Sequence, residues 1–156
     1  MPLAILSNSS LFFDPAVQVN LKNLDIIVAK LEAPNKDQFQ KISRPAPGIT
    51  FEQTIQGIKT LRQQVQGKFA LQIMFMHHNK DYADELAALA HEINPDEVQI
   101  NTPLRPCQVA PLSKAELTDI EKAFKGLPTI NVYTSKRPMT NPLDKLDLLK
   151  RRRTEV

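Results

Sequence analysis

The chain has 156 residues, of which 42% are hydrophobic and 24% are charged, and its formal net charge is +3 at pH 7. A chain of this length and composition buries one hydrophobic core and fits a single domain, which argues against an intrinsically disordered protein. No apolar run approaches the roughly 20 residues that cross a bilayer, and no signal-like segment marks the N-terminus, so we expect a cytoplasmic protein. The single cysteine, Cys107, cannot form an intrachain disulfide, which agrees with a reducing compartment.

Strand patterns and helix patterns alternate along the chain. Short apolar runs predict strands at residues 3–6, 24–33, 69–76, 98–102 and 129–133. Helical spacing of apolar residues predicts helices at about 15–23, 51–66, 82–93 and 114–124, with a short helical turn at 37–42. Because each helical crossover returns the chain in the same direction, the alternation predicts an α/β fold with a parallel sheet.

Local signals indicate where several helices begin. Asp14 precedes Pro15, and proline is tolerated at the first helical position. Residues 50–53 and 113–116 have the spacing of capping boxes. Near the C-terminus, Asn141 and Pro142 predict a further helix, so residues 136–156 are interpreted as a C-terminal helix with a basic tail. The cations at residues 150–153 either attract phosphate or simply form a solvated helix terminus.

Polar residues lie on one face of otherwise apolar strands. Alternation places Lys30 and Glu32 on one side of their strand, opposite Ile27, Ala29 and Leu31. The same split places Gln72 on one side of the next strand, and Gln99 and Asn101 on one side of the strand after that. One apolar and one polar face is the pattern that a ligand-lined barrel or half-barrel needs, with helices covering the outside. For Gln72 and Gln99 an alternative remains open, in which the two amides pair with each other across adjacent strands.

Polar side chains also collect where the predicted strands end. In parallel sheets ligands bind at the carboxyl ends of the strands, so this edge is the expected site. The residues concerned are Ser7, Asn8, Lys30, Glu32, His77, His78, Asn101, Thr102 and Arg105. The plainer interpretation is that loops begin at strand ends and that loops are polar.

Two further motifs have both a functional and a structural interpretation. The segment from Arg44 to Gly48 (RPAPG) either clamps an anion or serves as a rigid connector between a strand and a helix. His77 and His78 are adjacent on a strand and therefore point to opposite faces, which disfavours a shared metal ion.

Five segments of the chain resemble the later barrel strands of radical S-adenosylmethionine (radical SAM) enzymes. They are residues 6–11 (LSNSSL), 28–33 (VAKLEA), 42–51 (ISRPAPGITF), 71–76 (LQIMFM) and 98–106 (VQINTPLRP). The likeness is greatest to the iron-sulfur oxidoreductase branch that is similar to wybutosine-biosynthesis and molybdenum-cofactor-biosynthesis proteins. It implies a partial (β/α)6 TIM-like barrel over residues 1–135, to which this chain contributes the third strand onward.

The resemblance also implies roles for particular residues. Residues 7–9, which include Ser7 and Asn8, match a Thr-Asn-Gly-like stretch at the end of the third barrel strand. Lys30 and Glu32 fall in a stretch that approaches the nucleoside, where Glu32 would accept from ribose hydroxyls and Lys30 would reach the methionine carboxylate. Gln72 would contribute to the same cofactor site. The cavity toward the substrate would be lined by Gln99, Asn101 and Arg105.

The chain departs from this family in one decisive respect. Radical SAM enzymes hold a [4Fe-4S] cluster through three cysteines, typically spaced Cys-x3-Cys-x2-Cys, and this chain contains only Cys107. We therefore expect that the chain alone cannot bind the cluster and is inactive as a radical enzyme. The cofactors of the complete family enzyme would be S-adenosylmethionine and the cluster.

Two functions follow as expectations. In the first, the chain is the C-terminal part of a radical SAM iron-sulfur oxidoreductase, completed by a separate or missing N-terminal cluster-binding segment. In the second, it is a non-catalytic remnant or binding module for a partner protein or RNA. The substrate is not identified by either.

Overall fold

The computed structural model describes residues 2–136, which form five strands connected by helices. The strands are β1 (Ala4–Ser7), β2 (Ile26–Lys30), β3 (Lys68–Met74), β4 (Glu97–Asn101) and β5 (Thr129–Asn131). The α-helices are α1 (Pro15–Leu21), α2 (Lys36–Gln38), α3 (Phe51–Gln64), α4 (Ala83–Ile93) and α5 (Lys114–Glu121). A π-helical segment covers Phe39–Ser43, and short 3-10 helices cover Lys80–Tyr82 and Lys122–Phe124.

The five strands form one parallel sheet in the order β1-β2-β3-β4-β5, so each strand pairs with the next one in the chain. Right-handed crossovers in a sheet of this order place all the helices on the same side. The α/β fold with a parallel sheet, expected from the alternating pattern, is confirmed. A six-stranded barrel taken from its third strand onward would supply four strands, one fewer than the five described here, so the numbering of β1 as a third strand stays a prediction.

The hydrophobic core lies between the sheet and the helices. Ile27, Leu71 and Ile100, on the three central strands, are completely buried against Leu61 of α3 and Leu86 of α4. Removing such a side chain from water stabilises the fold by about 1.5–3 kcal/mol. The alternation read in the sequence therefore assigns the helix-covered face correctly.

The other face of the sheet carries no helix within residues 2–136, and we call it the open face. Its residues follow from the strand register and are Ala4, Leu6, Ile26, Val28, Lys30, Lys68, Ala70, Gln72, Met74, Glu97, Gln99, Asn101 and Ile130. Most of them are half-buried or exposed, and Leu6 on the edge strand is 57% exposed. The one-sided polarity predicted for the strands thus corresponds to this open face.

The helix starts expected at Asp14, Thr50 and Ser113 are confirmed, whereas the one expected at Asn141 lies outside the described residues. The Asp14 side chain accepts a hydrogen bond from the backbone N–H of Ala16, and Pro15 is the first residue of α1. Both capping boxes form, the first between Thr50 and Gln53 at the start of α3 and the second at the start of α5. Side-chain caps of this kind satisfy N–H groups that lack partners in the first helical turn.

Two strands are shorter than their patterns predict. The second strand covers Ile26–Lys30 within the predicted residues 24–33. The fifth ends at Asn131, because the chain turns there: the Asn131 carbonyl accepts from the backbone N–H groups of Thr134 and Ser135. The C-terminal helix and basic tail predicted for residues 136–156 lie almost entirely outside the described residues.

One close approach shows how tightly α3 packs. Gly57 lies against the backbone of Phe12 and Phe13, and a Cβ atom at position 57 would overlap both. The contact fixes α3 against the loop that follows β1.

None of the helices between residues 2 and 136 combines the length and the apolar character that crossing a bilayer requires.

Candidate functional site

A cavity of about 330 Å³ lies at the carboxyl ends of β1 and β2, and we call it the first cavity. Its walls come from Asn8 and Ser10 after β1, from residues 30–33 at the end of β2, from the segment 42–46, and from the start of α3. The cavity therefore lies at the edge of the sheet where the sequence predicts a ligand site.

Two charged side chains at the end of β2 line the first cavity. Lys30 Nζ and Glu32 Oε1 form an ion pair of 2.7 Å, with the two side chains 32% and 17% exposed. Residues two apart in an extended segment point to the same side, which is why the pair forms. Apolar surface from Phe39, Ile42 and Phe51 completes the wall, so the cavity combines a charged pair with an apolar lining.

The loop after β1 is held in a defined conformation beside this cavity. Ser9 is completely buried, its backbone adopts a φ of 66°, and its hydroxyl donates to the carbonyl of Lys30 at 3.2 Å. The Asn8 side-chain oxygen accepts from the backbone N–H and the hydroxyl of Ser10. A positive φ is most easily adopted by glycine, which is the residue that the resemblance places at position 9.

Asn79 connects the carboxyl ends of β2 and β3. Its side chain is completely buried, and Nδ2 donates to the carbonyls of Glu32 at 3.1 Å and Met74 at 3.0 Å. Oδ1 accepts from the backbone N–H of Met76 at 2.8 Å. One amide thus satisfies three backbone groups where no strand pairing is available, and it fixes the position of Glu32.

A second cavity, of about 520 Å³, lies on the other side of the π-helical segment. It is lined by Gln38, Lys41 to Arg44, Met76, His78 and Val109. Residues 42–44 line both cavities and form their common wall. Π-helical turns are often found at functional sites, and this one separates two adjoining cavities.

Four polar side chains form a hydrogen-bonded row on the open face. Gln72 Nε2 donates to Gln99 Oε1 at 3.2 Å, and Gln99 Nε2 donates to Glu97 Oε1 at 2.9 Å. Glu97 Oε2 pairs with Lys68 Nζ at 2.5 Å. An ionised carboxylate only accepts hydrogen bonds, so Glu97 dictates the direction in which the Gln99 amide points.

An ion pair between Lys80 and Glu116 connects α5 to the carboxyl edge of the sheet. The Glu116 carboxylate accepts from the Ser113 backbone N–H, from Lys80 and from the Ser113 hydroxyl, which together lower its pKa to about 2. The same contact, a hydrogen bond of 2.9 Å, raises the pKa of Lys80. This pair is half-buried and anchors the 3-10 helix Lys80–Tyr82, which follows Asn79, to the start of α5.

The structure separates the predicted site residues into groups. Asn8, Lys30 and Glu32 line the first cavity. Ser7 shares the helix-covered face with Ile5, and its hydroxyl accepts from the Ser9 N–H at 3.2 Å. His78 lines the second cavity, and both His77 and His78 lie in the turn after β3, not on a strand as predicted. The other predicted residues lie outside both linings: Gln72, Gln99 and Asn101 are on the open face, Thr102 is buried, and Arg105 is exposed in the loop after β4.

The amide pairing of Gln72 and Gln99, left open as an alternative, is present.

Sequence reasoning did not identify Lys41 or Asn79 as residues of this region. Asn79 follows two histidines in a loop, and its sequence contains no signal of its buried position. Lys41 belongs to a π-helical turn, which has no sequence pattern comparable to a capping box.

The described residues do not provide the ligands for an iron-sulfur cluster. A [4Fe-4S] cluster requires several cysteine thiolates, and Cys107 is exposed in a loop with its Sγ 3.2 Å from the carbonyl of Val109. Within residues 2–136, no three His, Cys, Asp or Glu side chains are grouped so that they could hold a metal ion. A cluster therefore does not fit this chain by itself.

Comparison with known sequences finds proteins named UPF0026. The chain is 36% identical to one from Synechocystis sp. over 103 residues, which is 65% of this chain and 39% of that protein. It is 32% identical to one from Helicobacter pylori over an alignment of 158 positions, which covers 96% of this chain and 51% of that protein. The chain thus spans about half or less of the curated relatives named here, and no model of a protein family matches it.

Comparison with solved structures finds domains of radical SAM enzymes. A radical SAM methyltransferase from Sphaerobacter thermophilus superimposes with a TM-score of 0.62 and 15% identity, over 82% of this chain and 39% of that one. A domain of a pyruvate-formate lyase-activating enzyme from Bacteroides vulgatus superimposes with a TM-score of 0.60 and 14% identity, over 82% of this chain and 79% of that one. At this level of identity the comparison establishes a shared fold, which is the barrel-like α/β fold of these domains.

Proposed function

We propose that this chain is the C-terminal part of a radical SAM enzyme and that its first cavity holds part of S-adenosylmethionine. The observation that carries the proposal is the position of the Lys30–Glu32 pair, which lines a cavity at the carboxyl ends of parallel strands. Parallel α/β folds bind their ligands at this edge. The likeness in fold to radical SAM enzymes supports the choice of ligand.

The residues of the first cavity have chemistry that suits this molecule. S-Adenosylmethionine carries an ammonium and a carboxylate on its methionine part and two hydroxyls on its ribose. The Glu32 carboxylate accepts hydrogen bonds from ammonium or hydroxyl groups, and the Lys30 ammonium donates to a carboxylate. A zwitterionic ligand can therefore exchange the existing ion pair for two pairs of its own. The apolar side chains of Phe39, Ile42 and Phe51 offer a surface for the adenine ring.

The second part of the proposal concerns the cluster. We propose that its cysteine ligands come from a segment outside this chain, either a longer form of the same protein or a separate N-terminal partner. The open face supports this, because Leu6 and Ile130 are exposed there and Ile26, Val28 and Met74 are only half-buried. In the complete enzyme the cluster would supply the electron that cleaves the sulfonium of the cofactor, and Lys30 and Glu32 of this chain would bind and orient the cofactor.

The ligand part is tested by titrating the ¹⁵N-labelled chain with S-adenosylmethionine and following the backbone amide resonances. We expect saturable shifts at residues 8–10 and 30–33. Replacing Glu32 with glutamine removes a charged acceptor and should weaken binding about tenfold, because a hydrogen bond to a charged group contributes about 1.5–3 kcal/mol. The matched control is Glu85→Gln, an exposed carboxylate on α4 away from the cavity. Equal affinity of the Glu32→Gln and Glu85→Gln variants would contradict the proposed site.

The cluster part needs a separate measurement. Iron bound after anaerobic reconstitution should remain at background for this chain alone. It should rise toward four atoms per complex when a cysteine-bearing N-terminal segment is co-expressed, since a [4Fe-4S] cluster contains four irons. If co-expression restores no iron although the ligand titration succeeds, the chain is a binding module for the nucleoside and not half of a radical enzyme.

A further inference from the structure

The second cavity has a cationic lining that the binding of S-adenosylmethionine does not explain. Lys41, Arg44 and His78 line it, and among the residues described around it there is no aspartate or glutamate. We propose that this cavity binds the phosphate group of a small phosphate ester. The inference goes beyond the proposed function, because it assigns a chemical class to a second molecule and does not depend on what occupies the first cavity.

Arg44 is held beside the cavity in an unfavourable backbone conformation. Its φ is 45° and its ψ is 60°, which is the left-handed region, and Pro45 follows it. A residue with a Cβ rarely adopts this region, and the residue before a proline is further restricted. Strain of this kind is concentrated at ligand sites, where the surrounding structure maintains it. Here it places an arginine at the wall shared by the two cavities.

The side chains present match the chemistry of a phosphate. An arginine guanidinium binds two phosphate oxygens with a planar pair of N–H groups, and lysine adds a point charge. Lys41 lies within the π-helical segment, Arg44 directly follows it, and His78 lies in the turn after β3. Basic side chains from two separate parts of the chain therefore line one cavity.

The walls of this cavity are fixed by hydrogen bonds. Gln38 Nε2 bonds to the hydroxyl of Tyr82 at 2.9 Å, which holds the start of the π-helical segment against the 3-10 helix. The loop that carries Val109 is anchored behind it, because Thr102 Oγ1 accepts from the Leu112 N–H at 2.9 Å. Lys41, Arg44 and His78 are exposed, so their side chains are accessible to an anion, while the backbone that carries the start of the π-helical segment is held in place.

The experiment is a titration of the ¹⁵N-labelled chain with inorganic phosphate and with glycerol 3-phosphate at constant ionic strength, with chloride as the reference anion. We expect saturable amide shifts limited to residues 38–44, 76–78 and 109, produced by both phosphates and not by chloride. Lys41→Gln, which changes only the second cavity, should weaken phosphate binding about fivefold or more. Arg44→Gly should weaken it further and leave the melting temperature equal or higher, since glycine relieves the strained φ.

Two control variants make the outcome decisive. Asn94→Gly relieves another left-handed residue, φ 51°, at the end of α4 and should leave phosphate binding unchanged. Lys125→Gln removes an exposed cation in a different loop and should also have no effect. The proposal is overturned if Lys41→Gln and Lys125→Gln bind phosphate equally, if chloride produces the same shifts, or if the cavity takes inorganic phosphate and rejects the ester.

Discussion

Gln72 and Gln99 lie in register on neighbouring strands and join their side-chain amides by a hydrogen bond of 3.2 Å. The bond belongs to a row that continues from Gln99 to Glu97 and Lys68. Glu97 therefore determines which of the two amides donates. Because the Gln99 NH₂ group is directed to Glu97, the Gln99 oxygen must accept from Gln72. Gln72 is in turn the register neighbour of Lys30 on β2, whose ammonium pairs with Glu32.

Glu97 should therefore matter more to stability than an exposed acid of the same type. Glu97→Ala removes a carboxylate that is only 12% exposed and leaves the half-buried Gln99 amide without its acceptor, and we expect a loss of about 1–3 kcal/mol. The comparison is Glu92→Ala, which breaks an ion pair of 2.6 Å in which Glu92 is 58% exposed. Exposed pairs contribute about 0–1 kcal/mol. Urea denaturation measures the free energy of unfolding of both variants. Equal losses for Glu97→Ala and Glu92→Ala would show that the hydrogen-bonded row on the open face does not contribute more than an exposed ion pair.

Asn79 should be one of the most sensitive polar positions in the chain. Asn79→Ala leaves the carbonyls of Glu32 and Met74 and the N–H of Met76 without their partner, and we expect a loss of about 2–4 kcal/mol. Chemical denaturation gives the value. Asn20→Ala is the control, because Asn20 is exposed and its single side-chain bond is to the Ala16 carbonyl within α1. A loss for Asn79→Ala no larger than for Asn20→Ala would contradict the role described for this amide.

Gly57→Ala should destabilise the protein although alanine favours helices. The gain in helix propensity is about 1 kcal/mol, whereas the new Cβ overlaps the backbone of Phe12 and Phe13 and must displace it. Overpacking of this kind costs about 1–3 kcal/mol, and backbone cannot move aside as a side chain can, so we expect a net loss. Gln63→Ala, at an exposed position of the same helix, should be neutral or slightly stabilising. Thermal denaturation of the two variants separates the effects.

Glu116 should make stability depend on pH in the acid range. Its pKa falls from an ordinary value of 4.5 to about 2 in the folded chain, so the folded state favours the charged form. The contribution is fully present above pH 4.5 and is lost as the pH falls toward 2. In Glu116→Gln, stability should therefore fall less between pH 7 and pH 3 than in the unmodified chain.

The protonation of the Glu116 carboxylate can be followed directly. NMR of the Glu116 carboxyl carbon should show a midpoint near pH 2. A Glu116 midpoint near 4.5 would mean that the contacts with Ser113 and Lys80 do not persist in solution.

The parts of the fold that could be predicted are those with local causes. Alternation in β2 and β3 assigned the buried face, and the capping boxes marked the starts of α3 and α5, because each signal lies within a few consecutive residues. The site could be predicted only in part. Glu32 was found because a strand end is visible in the sequence, whereas the partners of Asn79 are up to 47 residues away in the chain and leave no local pattern.

The role of Arg44 could likewise not be predicted from the residues next to it in the sequence. Its proline-rich segment suggested either an anion clamp or a rigid connector, and the sequence offered no means to decide. The common wall of two cavities is created by a π-helical turn, which depends on packing around Phe39 and not on a short motif.

Strand order and chain order are identical in this sheet, and this affects how it assembles. Each strand finds its neighbour across a single intervening helical connection, so no strand must insert between two that are already paired. Paired residues such as Ala4 and Ile26, or Ile26 and Lys68, are separated by one connection only, which allows the sheet to be built by successive addition of strand–helix units. A further unit can join either edge, at β1 or at β5, without rethreading any of the five strands.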